Sequence, residues 1–307
     1  MENANGELTI IDFHVHFPAG WASRTADPRP AIQAYQRERR ERMAREWDLP
    51  DMERHDGTAE EMAGRWHDEV RKNHLARVVF MTGGGNDLLA QVVSMYPQSF
   101  SGFAHHDPAG PGAASELERA VEELGLKGYK LIAPRMTISF DDPRLRPLWT
   151  YAAQKKLPVL IHFGLLGHAG GIVSHPLINP LTLANVAREF SDVPFIIPHF
   201  GCGYFQELLH LCWSCPNILV DTSGSNQWVR WMPYRLDLED LFRKTWELLG
   251  PERLVFGTDS SWFPRGFSRR YLLDQLRVCW QLGMKQDDVQ LIFGGNAARL
   301  LGIALDP

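Results

Sequence analysis

The chain has 307 residues, 44% of them hydrophobic, with 32 lysines and arginines against 37 aspartates and glutamates and a formal charge of −5. That is enough apolar material for a large core, which excludes a disordered chain, a collagen-like chain and a small disulfide scaffold. Mild acidity argues against a nucleic-acid or anionic-membrane partner, and four cysteines suit a reducing compartment. Neither the opening MENANGELTI nor any later stretch reads as a secretory signal or a membrane span, so a soluble cytoplasmic protein is expected.

Short β-rich apolar runs alternate with helical patterns along the whole chain. The first run, Leu8–Phe13, is followed by a long segment, 17–75, marked by prolines 18, 28, 30 and 50 and then by charge. It is about twice as long as an ordinary crossover requires. It reads as two helices, near Pro30–Glu46 and Thr58–Asn73, forming a helical cover inserted after strand one. The remaining runs are Ala76–Met81, Phe100–His105, Leu126–Leu131, Pro158–His162, Pro194–Pro198, Ile218–Asp221 and Leu254–Gly257. Helical stretches follow them near Asp87–Tyr96, Ala113–Glu123, Asp142–Lys156, Thr182–Phe190, Phe205–Ser214, Leu238–Leu249 and Ser268–Leu282, with a tail helix or pair over Asp287–Leu301. Continuous apolar triplets such as Val159-Leu160-Ile161 mean burial on both faces, as parallel strands require. Eight such units predict an α/β fold, a single (β/α)8 TIM barrel over 1–307, rather than an open sheet. No G-x-G-x-x-G follows the first strand.

Polar residues sit where such a barrel keeps its active site, at the C-terminal ends of strands. Strand one ends in His14 and His16, which alternation places on one side, with Phe13 and Val15 on the other. His162 ends the fifth strand, His199 the sixth, and Asp259 follows the eighth. Polar groups in a barrel are costly unless paired or coordinated. Three neutral imidazoles and a carboxylate suit one divalent ion, Zn²⁺ first, with Mn²⁺, Fe²⁺ or Co²⁺ as alternatives.

These residues carry a resemblance. Asp12-Phe13-His14-Val15-His16, Lys127–Leu131, Pro158–Gly164, Pro198–Gly201, Val220–Ser223, Phe256–Asp259 and Gly294–Leu300 together resemble the amidohydrolase superfamily. The similarity is to its amidohydrolase-related branch, which includes aminocarboxymuconate-semialdehyde decarboxylase. The resemblance implies that His14, His16, His162 and Asp259 hold one metal and that His199 works beside it as acid or base, or else as a fifth ligand. Asp259 would also serve in catalysis by accepting a proton. Lys130, in strand four, is assigned to a substrate anion, against a carboxylated bridge between two metals or a structural ion pair. Arg265, Trp262 and His168 are further candidate substrate contacts. The sequence departs from the branch after Asp259, where Ser260 and Ser261 separate it from the aromatic–proline pair.

The expected activity is metal-dependent hydrolysis of a small cyclic or aromatic amide, ester or lactone. The alternative is non-oxidative decarboxylation of a small unsaturated or aromatic acid. Either reaction implies a small-molecule substrate with a carboxylate or aromatic ring, and the branch implies a homo-oligomer. His105 and His106 end strand three, and alternation turns only one of them inward. Cys212-Trp213-Ser214-Cys215 falls on a helix and reads as buried small hydrophobes rather than a redox pair. The basic run Arg37–Arg45 is interleaved with glutamates, and reads as a solvated face with Glu38–Arg42 and Glu41–Arg45 pairs.

Overall fold

The computed structural model describes residues 8–19, 29–47, 49–51, 53, 57–167 and 171–304. Eight parallel strands follow one another: β1 (Ile11–His16), β2 (Arg77–Thr82), β3 (Phe100–Gly102), β4 (Tyr129–Ile132), β5 (Val159–His162), β6 (Phe195–Ile197), β7 (Ile218–Asp221) and β8 (Leu254–Val255). Adjacent strands pair in chain order within β1–β3 and within β4–β8. Backbone hydrogen bonds cross both remaining seams. Ala104 N–H donates to Gly128 and Lys130 N–H to Ala104, each at 2.8 Å, and Phe13 N–H donates to Phe256 at 3.0 Å. His16 N–H donates to Ser260 at 2.8 Å and Asp259 N–H to His14 at 2.7 Å. The sheet is therefore a TIM barrel, with no free edge strand left at either seam.

Side-chain alternation sorts the strands into two cores. Ile11, Phe13, Val79, Met81, Phe103, Leu160, Ile196, Leu219 and Val255 form a closed apolar cluster in the lumen. Their neighbours Val78, Phe80, Tyr129, Leu131, Ile161, Ile197, Val220 and Phe256 pack outward against the helices. Ala297, Ala298 and Leu301 join the lumen cluster. They belong to the last helix of the described chain, so that helix plugs the floor of the barrel.

Strand β1 departs from plain alternation. Its register against β2 slips between Asp12 and Val15 and again before His16. Phe13 keeps to the lumen face beside Ile11, and the extra residue turns Val15 outward. Phe13 and Val15 thus do not share a face, as alternation had predicted. An irregular strand can re-aim one side chain in this way, and here it buries His14 completely.

The segment between β1 and β2 divides in function. Helix α2 (Ala59–Lys72) buries Met62, Ala63, Trp66 and Val70 against the outside of the barrel. Its start is fixed by a capping box, with Glu61 N–H donating to Thr58 Oγ1 at 3.2 Å and Thr58 N–H to Glu61 Oε2 at 2.8 Å. Helix α1 (Pro30–Trp47) buries no side chain. It carries one i,i+4 pair, Arg42–Glu46 at 2.9 Å, and Glu46 also meets Arg230 at 3.0 Å. Trp47 stacks edge-on with Tyr271 and lies under Arg270. These contacts bring the end of α1 to the segment that follows β7 and to the first turn of the helix Arg269–Gln281 beyond β8. The other outer-layer helices are α3 (Asn86–Met95), α4 (Ala113–Glu122), α5 (Arg146–Lys155), α6 (Ala184–Glu189), α7 (Phe205–Ser214), α8 (Leu238–Leu249) and α9 (Arg269–Gln281), followed by α10 (Gln286–Gln290) and α11 (Asn296–Leu301). Cys212 and Cys215 are buried free thiols in and after α7. Among the described residues no helix is long and apolar enough to cross a membrane.

Candidate metal centre

Above the apolar lumen the layer changes character. His14, His162 and Asp221 are buried toward the C-terminal ends of their strands, His199 just after β6, and Lys130 within β4. His14 Nε2 lies 3.2 Å from His16 Nε2, and Asp259 Oδ1 lies 3.2 Å from His16 Nε2 and 3.8 Å from His14 Nε2. One ligand atom from each of His14, His16 and Asp259 falls within 4.8 Å of the others. The back of each histidine is occupied. His14 Nδ1 meets Asp221 Oδ2 at 2.5 Å, and His16 Nδ1 meets Thr82 Oγ1 at 2.7 Å. As a carboxylate, Asp221 can only accept, which puts the proton on His14 Nδ1 and leaves the Nε2 lone pair facing the centre. Burial, reinforced by Lys130 and His199, pushes His14 well below the usual histidine range and so keeps its imidazole neutral. Lone-pair donors converging from three directions suit a divalent cation.

Asp259 keeps 40% of its side chain open to the mouth. Burial opposes its ionisation, but the hydrogen bond with His16 and the neighbouring histidines outweigh it and hold the carboxyl well below its usual range. The backbone of Asp259 is left-handed (φ 58°), and so are His199 (φ 58°), Phe200 (φ 48°) and Cys202 (φ 43°). Non-glycine residues in this region are strained and persist only where the surroundings over-determine them. Around Asp259 the constraint comes from Asp12, which accepts hydrogen bonds from Thr258 N–H at 2.9 Å, from the Thr258 hydroxyl and from His14 N–H. Burial raises the Asp12 carboxyl to about 7, against those hydrogen bonds. Around His199 the constraint includes Gly164, where a β-carbon would lie 2.2 Å from the Cys202 carbonyl. The loops after β5 and β6 can touch only because that side chain is missing.

His199 stands between two other imidazoles, its ring 5.0 Å from His14 and 5.1 Å from His162. Its Nδ1 lies 3.1 Å from the Ser223 carbonyl and 2.9 Å from Ser223 Oγ, which leaves Nε2 for the mouth. His162 is placed differently from the other expected ligands. Its Nε2 donates to the Leu165 carbonyl at 3.1 Å, and it does not join the tight group of His14, His16 and Asp259. Burial, with His199 and Lys130, pushes its pKa well below the usual range.

Lys130 projects into the lumen layer from β4 and is 2% exposed. Burial lowers it to about 8, with Asp221 and Asp259 pulling the other way. Among the described residues no side chain forms a hydrogen bond or ion pair with its ammonium group. Arg265 lies on the loop after β8, where Nη2 donates to the Asp259 carbonyl at 3.2 Å and the guanidinium sits 5.2 Å from the Trp262 ring. Its Nε is buried without a hydrogen-bond partner among the described residues. His168 falls outside the described residues.

Sequence reasoning gave no role to Asp221, Ser223 or Thr82, which orient the histidines. Asp221 was within reach, since it is a polar residue ending a strand, the same signal that singled out His162. Thr82 was not, because a threonine at a strand end is unremarkable until its partner is known.

The sequence profile of the amidohydrolase family matches residues 11–303. The chain is 26% identical over 244 residues to 2-keto-4-carboxy-3-hexenedioate hydratase from Sphingobium sp. (strain NBRC 103272 / SYK-6), covering 70% of this chain and 69% of that one. Its fold is similar to that of 5-carboxyvanillate decarboxylase from Sphingomonas paucimobilis, with a TM-score of 0.63, 18% identity and coverage of 97% and 100% of the two chains. It is also similar to that of a probable 2-pyrone-4,6-dicarboxylic acid hydrolase from Acinetobacter baumannii, with a TM-score of 0.59, 14% identity and coverage of 96% and 100%.

Proposed function

This chain belongs to the amidohydrolase family of enzymes, and from that premise we propose that it adds water to a small planar substrate bearing a carboxylate, by hydrolysing a cyclic or aromatic ester, lactone or amide. The observation that carries the reading is a juxtaposition in one buried layer. Three metal-type donors converge within 4.8 Å, and beside them lies a buried ammonium, that of Lys130, with no partner among the described residues. The hydratase, decarboxylase and hydrolase described above differ in reaction, but each is named for a carboxylated compound.

His14, His16 and Asp259 would hold the ion, Zn²⁺ in the first instance. His162 would be the fourth ligand, giving up its bond to the Leu165 carbonyl if it ligates through Nε2. Such an ion acidifies water and polarises a substrate oxygen. The remaining work falls to side chains. Asp259, whose Oδ1 faces the histidines, keeps its other oxygen for the proton of the attacking water. His199, steadied through Nδ1 by Ser223, presents Nε2 to the substrate, takes up the proton that Asp259 has accepted and passes it to the leaving group. Lys130 fixes the carboxylate, and Arg265 beside Trp262 offers a second anchor from the β8 loop.

Incubation of the zinc-loaded enzyme in ¹⁸O-water with a panel of carboxylated lactones, esters and amides tests this. A ring-opened or cleaved product carrying ¹⁸O is expected. Release of CO₂ from carboxylated aromatic acids, with no ¹⁸O in the organic product, would overturn water transfer in favour of decarboxylation. That second reading is supported by the fold likeness to 5-carboxyvanillate decarboxylase, which spans nearly the whole chain.

A further inference from the structure

His105 has no part in the mechanism above, yet it is built into the same mouth. It follows β3 two residues after Phe103, which points into the lumen, so alternation turns His105 inward and His106 outward. His106 is engaged on that outer side, with Nδ1 3.3 Å from Asn86 Nδ2 and Nε2 3.0 Å from the Ala113 carbonyl. His105 is held from two directions. Its backbone N–H donates to Asn86 Oδ1 at 2.9 Å, and its Nδ1 lies 2.9 Å from the Lys130 backbone carbonyl. A carbonyl only accepts, so the proton resides on Nδ1 and Nε2 carries a lone pair. Burial pushes the ring down to about 4, which keeps it neutral at physiological pH. Among the described residues nothing hydrogen-bonds to Nε2. Asn86 is itself fixed, donating to Glu116 Oε1 at 2.6 Å.

Strand β4 and the segment following its neighbour β3 therefore present opposite hydrogen-bonding characters. Lys130 offers only donors and His105 Nε2 offers only an acceptor. We propose that His105 and Lys130 form a paired recognition site that takes a carboxylate on Lys130 and a proton-bearing group of the same substrate, a hydroxyl or an N–H, on His105 Nε2. His105 then determines specificity, because a substrate with an ether or a bare C–H at that point leaves the buried acceptor unpaired. The inference rests on the reading of Lys130 as a carboxylate anchor.

The test uses benzoate, 2- and 3-hydroxybenzoate and the two methoxybenzoates as probes, bound to zinc-loaded full-length protein and followed by calorimetry. One hydroxybenzoate is expected to bind about fivefold tighter than its methoxy counterpart. The variant His105→Phe should erase that preference and bind benzoate at least as tightly as the parent, since no buried acceptor is left unpaired, and His105→Gln, which restores an acceptor, should recover part of the preference. In ¹⁵N-histidine spectra the His105 Nε2 resonance should move with the hydroxybenzoate and stay with the methoxy compound. Unchanged benzoate affinity in Lys130→Met overturns the carboxylate anchor itself. Weakened benzoate binding in Lys130→Met with an undiminished hydroxyl preference in His105→Phe overturns the pairing alone. Because benzoate binding by His105→Phe reports a folded site, a misfolded variant is not mistaken for a positive result.

Discussion

Replacing Asp221 with asparagine isolates the residue that holds His14 from behind the candidate metal centre. Two donors point at this buried side chain: His14 Nδ1 at 2.5 Å from Oδ2 and Ser223 N–H at 2.7 Å from Oδ1. A carboxylate accepts from both, whereas asparagine offers one oxygen and one NH₂ group, so one donor loses its partner. An unpaired buried donor costs about 1–3 kcal/mol. Ser223 Oγ, 3.2 Å from the same His14 nitrogen, is a neutral substitute that pulls the effect toward the lower end. If His14 turns or changes tautomer in response, its Nε2 lone pair no longer faces Asp259 and His16. Losing such an orienting partner weakens metal binding about 10- to 100-fold. The assay is competition for zinc against a chromophoric chelator, with urea unfolding of the chelated protein measured separately. The expected outcome is a loss of zinc affinity larger than the loss of metal-free stability explains. Zinc affinity within twofold of the parent, in a protein that still folds, would refute the argument that Asp221 sets the tautomer of His14.

Other perturbations probe separate parts of the same geometry. Lys130 is held near 8, so its ammonium is charged below that pH and neutral above it. KM for a carboxylate substrate is therefore expected to rise as pH passes 8. In Lys130→Met, KM should be about 10- to 100-fold higher at pH 7 and flat across the same range, as steady-state kinetics will show. A β-carbon at Gly257 would lie 2.8 Å from His14 Cβ and 3.0 Å from Asp221 Oδ1. Gly257→Ala should accordingly lower stability by about 1–3 kcal/mol and weaken zinc binding, read by denaturant unfolding and chelator competition. Removing metal by dialysis against a chelator should abolish turnover, and zinc or manganese should restore it; activity that survives dialysis contradicts the metal reading. Thr58→Ala should cost about 1 kcal/mol through loss of the capping box on the outer helix α2, with kcat unchanged because the Thr58 hydroxyl is engaged with Glu61 and with none of the candidate site residues.

Periodicity and strand-end chemistry in the sequence were enough for the barrel, its eight strands and the residues at its mouth. Continuous apolar runs have no alternative to a sheet buried on both faces. A polar residue ending such a run has to be paired or coordinated, which is why His14, His16, His162, His199 and Asp259 stood out without coordinates. Tertiary structure decided what adjacency in sequence cannot encode. The slipped register of β1 turned Val15 outward and parted it from Phe13, because register depends on pairing with β2. Asp221, 207 residues from His14, became its partner only when β7 and β1 were seated on the two sides of β8. The same closure set His162 apart from the tight group of three donors, through a bond to its own loop. It also left the Lys130 ammonium buried without a partner beside an imidazole whose tautomer is fixed by the lysine's own carbonyl. Residue type and period determined which groups reach the mouth; the closing of the barrel decided which of their atoms remain free to meet a ligand.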